Sequence, residues 1–274
     1  MSGQNLRVFL VLCYAGAWGL SHAAQATDLE DTKNTSDQLE PRSFFANWEF
    51  TIQPYFLPPA ITGSAAVGIL PETSIDFSHS DILNSLRFGV LFRLEALYRH
   101  RFGVATDLAY LNVGTVDEDV LPNAKVRFSA GQTIWESFAF YRILSEPRYT
   151  FDVLAGARYW DTNLSLDVSG TRFGDFSFGL DSRWVDPFVG LRGLYGLTDQ
   201  IFVQGQADIG GFDVGSKIAW HLQGNLGYQI NSDWQMMAGY KALSVDYNNH
   251  KSGSDRFIYD TITHGPMVSV AYRF

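Results

Sequence analysis

The chain has 274 residues, of which 46% are hydrophobic, 15% aromatic and 18% charged, with a formal net charge of −9. This composition excludes a disordered chain, a collagen and a helical membrane bundle. An acidic chain without a Lys/Arg run is also a poor partner for a phosphate backbone, so no nucleic-acid partner is expected.

The N-terminus reads as an export signal. Arg7 is the only charge before an apolar run from Val8 to Leu20, too short to span a bilayer but of the size of a secretory h-region. Ser21-His22-Ala23 and Ala24-Gln25-Ala26 place small residues at −3 and −1, so residues 1–26 are expected to be a signal peptide cleaved after Ala23 or Ala26. The alternative is a buried helix of a cytoplasmic protein. Cys13, the only cysteine, lies in this leader and follows Leu12 rather than a small residue, which argues against a lipoprotein. The exported chain then carries no thiol, so disulfides and thiolate chemistry are excluded. Residues 27–43 are polar and without periodicity and read as a flexible segment.

From residue 44 to the end the pattern is alternation with period two, the signature of strands with one apolar and one polar face. Strands are expected at about 46–57, 86–98, 102–113, 126–143, 149–162, 184–195, 200–210, 217–230, 234–247 and 257–274. In the eighth of these, Ile218, Trp220, Leu222, Leu226, Tyr228 and Ile230 oppose Lys217, His221, Gln223, Asn225 and Gln229. Short links near Arg99-His100-Arg101, 144–147, 196–199 and 231–233 alternate with longer ones at 58–85, 114–125, 163–183, 211–216 and 248–256. Short turns at one end and long loops at the other describe an outer-membrane barrel. The expected fold is therefore all-β, a closed antiparallel transmembrane β-barrel of ten strands. Ile61–Leu70 and Thr73–Phe77, a loop hairpin or extra wall strands, leave eight or twelve open.

A secreted soluble barrel would turn its apolar face inward, whereas a membrane barrel turns it to lipid. Three features favour the membrane. The chain ends Val268-Ser269-Val270-Ala271-Tyr272-Arg273-Phe274, with Tyr272 and Phe274 placed as an assembly signal. Aromatic residues crowd the strand ends near the short turns, as Trp48, Tyr98, Phe102, Tyr141, Tyr149, Tyr195, Tyr228, Trp234, Tyr272 and Phe274, where an interfacial girdle needs them. Closure also hides every strand edge, as a hydrocarbon environment demands.

With that orientation the interior receives the acids Glu49, Glu95, Asp107, Glu136, Asp152, Asp186 and Asp208 and the bases Arg87, Arg93, Arg142, Arg158, Arg192, Lys217, Lys241 and Arg273, together with His221. Near-matched charge is what an interior salt-bridge network needs, and it predicts a mostly plugged lumen. Asp208 and His221 are placed to touch across neighbouring strands, as a lumen hydrogen bond rather than as a catalytic pair, since no Ser stands beside them. His79-Ser80-Asp81 contains all three triad residue types, but in an extended segment neighbours point to opposite faces. Asp117-Glu118-Asp119 lacks the spaced ligands and turn glycine of a Ca²⁺ loop and reads as a solvated tip. No catalytic, cofactor or metal motif is assigned.

The segments Leu154-Ala155-Gly156-Ala157-Arg158-Tyr159-Trp160, Trp184 to Arg192, Asp208 to Ser216 and Ala238-Gly239-Tyr240-Lys241, with Gly265-Pro266, resemble a family of largely uncharacterised Gram-negative outer-membrane β-barrel proteins of the opacity/OmpA-like type. Lys241 stands where that pattern has Arg, a change that weakens bidentate carboxylate pairing. The resemblance covers roughly residues 44–274 and implies the fold and a bacterial outer-membrane location, and no reaction. The leading expectation is a non-enzymatic barrel acting structurally or through its extracellular loops. Its expected partners are outer-membrane lipid and lipopolysaccharide and, during biogenesis, the assembly machinery. A narrow small-solute channel and an outer-membrane hydrolase of protease or lipid A deacylase type are the alternatives, because one barrel architecture hosts all three.

Overall fold

The structure is a computed structural model and describes residues 47–69, 71–121, 124–169 and 176–274. The expected signal peptide and polar segment lie outside the described residues, as do the side chains of Asp117, Glu118 and Asp119. In chain order the elements are β1 (Trp48–Phe56), β2 (Ala60–Val67), β3 (Thr73–Phe77), helix α1 (His79–Ser85), β4 (Leu86–Tyr98), β5 (Phe102–Leu121) and β6 (Ala124–Ser145). They continue with β7 (Tyr149–Ser169), β8 (Phe176–Gly196), β9 (Ile201–Gly210), β10 (Ile218–Gln229), β11 (Trp234–Asn248) and β12 (Phe257–Arg273).

Each strand from β4 to β12 pairs antiparallel with the next, β4 also pairs with β1, and β1 pairs with β12, so ten strands close a barrel. β2 and β3 are additions to this wall. Phe56 faces Val268 and Ala60 faces His264, four residues further along both strands, so β1 and β2 keep one register against β12. They are in effect one wall strand interrupted at Leu57-Pro58-Pro59. Pro58 stands level with Pro266, and neither proline has an N–H for the ladder. The chains approach closely here, since a Cβ on Gly265 would lie 2.3 Å from the Pro58 carbonyl oxygen.

The expected strand positions hold, but two expected loops do not. Residues 114–121 prolong β5, 163–169 prolong β7 and 176–183 open β8, so the segments read as long loops are largely tall hairpins rising from the wall. His79-Ser80-Asp81, expected to be extended, opens a helix instead. Ser78 caps it, accepting from the Asp81 backbone N–H while the Asp81 carboxylate accepts from the Ser78 backbone, a reciprocal capping box. The link after β9 turns through Gly211, Phe212 and Asp213, all with positive φ.

Alternation sorts the side chains by face. Leu222, Leu226, Val189, Leu191 and Val268 point out and stay exposed, the surface that lipid covers. Near the short turns Trp48 packs on Tyr98 and Trp234 on Tyr272, with Phe274 against Tyr272 and Phe50. At the other end the apolar band stops at outward ion pairs, Arg183 with Asp161 at 2.9 Å and Lys217 with Asp246 at 3.5 Å. Lys217, expected inside, is therefore an exposed outer-rim residue, because the strand begins one residue later and its first side chain follows the turn.

Leu222 lies in the middle of this band. Leu222→Arg should cost about 2–4 kcal/mol, as a cation facing hydrocarbon at midplane does. A lowered urea midpoint for the folded barrel in lipid vesicles is the measurement that checks it.

Candidate functional site

The lumen is organised in tiers. Nearest the short turns, Arg192 donates to both Glu95 oxygens, at 2.6 and 3.2 Å, and to Asp152 at 2.8 and 3.0 Å, while Arg142 donates to Asp152 at 2.8 Å. Above it, Arg158 bridges Glu136 at 2.9 Å and Asp208 at 2.8 Å, and His221 Nδ1 lies 2.9 Å from the other Asp208 oxygen. Arg93 donates to Asp107 at 3.0 Å, which also accepts from the Tyr55 hydroxyl at 2.7 Å and has the Lys241 ammonium at 3.8 Å. Arg158 is fully enclosed, and Arg93, Asp107, Glu136, Asp152, Arg192, Asp208, His221 and Lys241 are all buried. The three guanidinium groups of Arg93, Arg158 and Arg192 lie over the rings of Phe138, Phe188 and Phe140, so their flat faces meet aromatic surface while their edges meet carboxylates.

The contacts run across the lumen as well as along the wall. Arg93 on β4 reaches Gln206 on β9 at 3.2 Å, and these strands stand five positions apart in a ten-strand wall, which is its diameter. The network leaves voids of about 100 Å³, beside Glu95, Arg142 and Arg192, and about 40 Å³, beside Tyr55, Asp107 and Lys241.

The upper tier is aromatic rather than polar, as strict alternation would have it. Trp160 and Trp184 stack at 5.4 Å, and Trp184 stacks on Tyr247 at 3.8 Å, with Phe257 and Tyr259 closing the cluster. Asp186 belongs here rather than in an ion pair. It accepts from the indole N–H groups of Trp160 at 2.8 Å and Trp184 at 3.2 Å, from the Ser216 backbone at 2.7 Å and from the Ser216 hydroxyl. Trp160 lies two residues from Arg158 on the inward row, so the period itself marked it as interior.

Three other expected interior charges stand elsewhere or at the mouth. Arg87 is exposed at a bulge in β4, where pairing with β5 skips a residue, and does not join the network. Arg273 is exposed at the short-turn mouth, and Glu49 there accepts from His100 at 2.7 Å.

A second group of residues gathers on the outside, where the wall divides. β1 and β4 pair only as far as Pro54 opposite Phe92; beyond that β2 continues along β12, β3 pairs with β2, and no ladder joins β3 to β4. Helix α1 links β3 to β4 in the chain and packs against β5, with Ile82 buried. Behind this seam Tyr55, Leu57 and Met267 form an apolar cluster, with Leu91 of β4 packed on it. On its outer side His79 Nδ1 sits 2.9 Å from the Pro58 carbonyl, His264 Nδ1 sits 2.6 Å from the Tyr240 hydroxyl, and the two imidazoles are 5.9 Å apart.

No family model and no curated protein matches this chain. Among solved structures it is similar to the outer membrane protease OmpT from Escherichia coli, with a TM-score of 0.60 and 11% identity over 86% of this chain and 99% of that one. It is also similar to the translocator domain of the autotransporter NalP from Neisseria meningitidis, at 0.48 and 13% over 83% and 88%. For Ail, the attachment invasion locus protein of Yersinia pestis, the values are 0.35 and 11% over 83% and 99%. The likeness to OmpT is one of fold, and the fold is a closed antiparallel barrel of the outer-membrane type.

Removing Arg158 strands two enclosed carboxylates. Arg158→Ala should lower stability by about 3–5 kcal/mol, the cost of a broken buried pair. Arg158→Lys should recover only part, because an ammonium cannot present the planar fork that reaches both acids; urea titration of the folded barrel separates the three proteins. At the seam, the hydroxyl and backbone N–H of Ser78 both donate to Asp81, at 2.6 and 2.9 Å, and hold its carboxyl below the usual carboxylate range. A lowered folded value means that this support of α1 is present above the ordinary carboxylate range and is lost as pH falls through the lowered value. Protection of the Ile82 amide, which donates to the Ser78 carbonyl, should fall below about pH 4, and Asp81→Asn should flatten that dependence.

Proposed function

We propose that this chain is an integral protein of the Gram-negative outer membrane that works as a closed, non-conducting barrel, acting structurally or through its extracellular surface rather than through a pore. The observation that carries the reading is the side-chain plug, with Arg93 reaching across the full diameter to Gln206 and voids of about 100 and 40 Å³ beside the charged network. A hydrated ion needs a continuous wet path, and the cross-lumen charge contacts and the stacked aromatic tier above them stand in its way. The tall hairpins β5–β6 and β7–β8 are the parts that project furthest and are the natural place for contacts with other surfaces.

The reading assigns no catalytic role. Asp208 and His221 are enclosed, and Asp208 is held by Arg158 as well as by His221, so the dyad is read as part of the closure. Lipid and lipopolysaccharide are the partners that suit the exposed apolar band, and the assembly machinery is the expected partner during biogenesis. Kinship with the opacity/OmpA-like barrels, carried by the segments around Arg158, Asp186, Asp208 and Lys241, belongs to the same proposal.

Planar-bilayer recording tests it. The purified barrel should add no discrete conductance steps at any salt concentration. Reproducible unitary steps in the intact protein, altered by substitutions at Arg93 or Glu95, would replace this reading with that of a narrow channel.

A further inference from the structure

We propose that His79 and His264 form an open two-histidine site for a divalent transition-metal ion, of the zinc or copper class, which clasps helix α1 to β12 across the divided seam.

The tautomer of His79 follows from its partner. A carbonyl oxygen can only accept, so Nδ1 of His79 carries the hydrogen that it donates to Pro58, and Nε2 holds the free lone pair. His264 has Nδ1 engaged by the Tyr240 hydroxyl. Among the described residues neither Nε2 has a hydrogen-bond partner. An imidazole with one nitrogen tied to an oxygen and the other left without a partner is the arrangement that metal-binding histidines adopt, because the bond orients the ring.

The spacing agrees. With a metal–nitrogen bond of about 2.1 Å and a ring radius of about 1.2 Å, two imidazoles on one tetrahedral ion have centroids roughly 5–6 Å apart. The observed separation is 5.9 Å, with the ring planes at 87°. Both rings are half-buried, so they are ordered yet reachable. Higher on the same outward faces, Asp260 stands directly opposite Asp246, whose charge is met by Lys217, so the pair of acids carries one more negative charge than its nearby base balances. Imidazole ligands favour zinc, copper and nickel over calcium or magnesium. Two protein ligands leave the remaining positions to water, as in an open site rather than a closed structural one.

The placement explains why the ion would matter to the fold. His264 is the last β12 residue in chain order to pair with β2, next to the Pro58–Pro266 interruption, and His79 is the first residue of α1. An ion shared by both ties the helix to the wall where the ladder lacks donors.

The test uses the folded barrel purified from membranes without a histidine tag. Calorimetric titration with Zn²⁺ should show one ion per chain, and the spectrum of bound Cu²⁺ should show two coupled nitrogens. His79→Ala and His264→Ala should each weaken binding at least about tenfold and leave one coupled nitrogen, and Tyr240→Phe should weaken it about tenfold through loss of the orienting bond. His100→Ala should bind as the parent does. Heat-modifiable gel mobility confirms that each variant remains folded. No binding by the parent at millimolar zinc, or equal binding by the parent and both histidine variants, overturns the proposal.

Discussion

A charged side chain inside a narrow barrel must find an opposite charge, because it has neither bulk water nor room to leave. Lipid on the outside forces the polar residues of every strand inward, and ten strands bring those residues within reach of one another. Pairing is then the condition of closure. Arg158 shows the solution in its simplest form, one guanidinium serving Glu136 on β6 and Asp208 on β9 while its face rests on Phe188. Arg192 repeats the arrangement with Glu95, Asp152 and Phe140. Each arginine joins strands that are not neighbours, so the network braces the wall across its section in addition to the ladders around it.

The two halves of the lumen meet the same demand differently. Near the short turns, charge is cancelled by charge. Higher up, Asp186 is satisfied by four neutral donors from Trp160, Trp184 and Ser216, and the rest of the space is filled by stacked rings. The first arrangement depends on electrostatics in a poorly screened interior, the second on packing and dipoles. A barrel closed by both has no single tier whose loosening would open it from end to end.

Much of the wall was legible from period two alone, since alternation is imposed by the lipid–lumen boundary and survives without any knowledge of partners. The ten wall strands and the inward placement of Arg93, Glu136, Arg158, Arg192 and Asp208 follow from it. The heights of β5, β7 and β8 did not, because above the bilayer both faces meet water and the alternation fades although the hydrogen bonding continues. Trp160 and Trp184 were obscured by composition, an interior aromatic and an interfacial one being the same letter in a sequence. Arg87 and Lys217 failed for local reasons, a bulge in one case and a strand end in the other, both of which shift a face by one residue. The pairing of His79 with His264 had no local signal, since 185 positions separate them in the chain.

The opposed prolines at 58 and 266 divide one long seam into two stretches that share a register but no hydrogen bond at their junction. That makes the junction a boundary for slippage. An insertion of a single residue between Phe56 and Ala60 would leave β1 matched to the C-terminal half of β12, yet would turn every side chain of β2 to the opposite face, sending Ile61 out and Thr62 in. Evolutionary length changes at this point would thus rewrite the rim of the barrel while sparing its membrane-embedded ring.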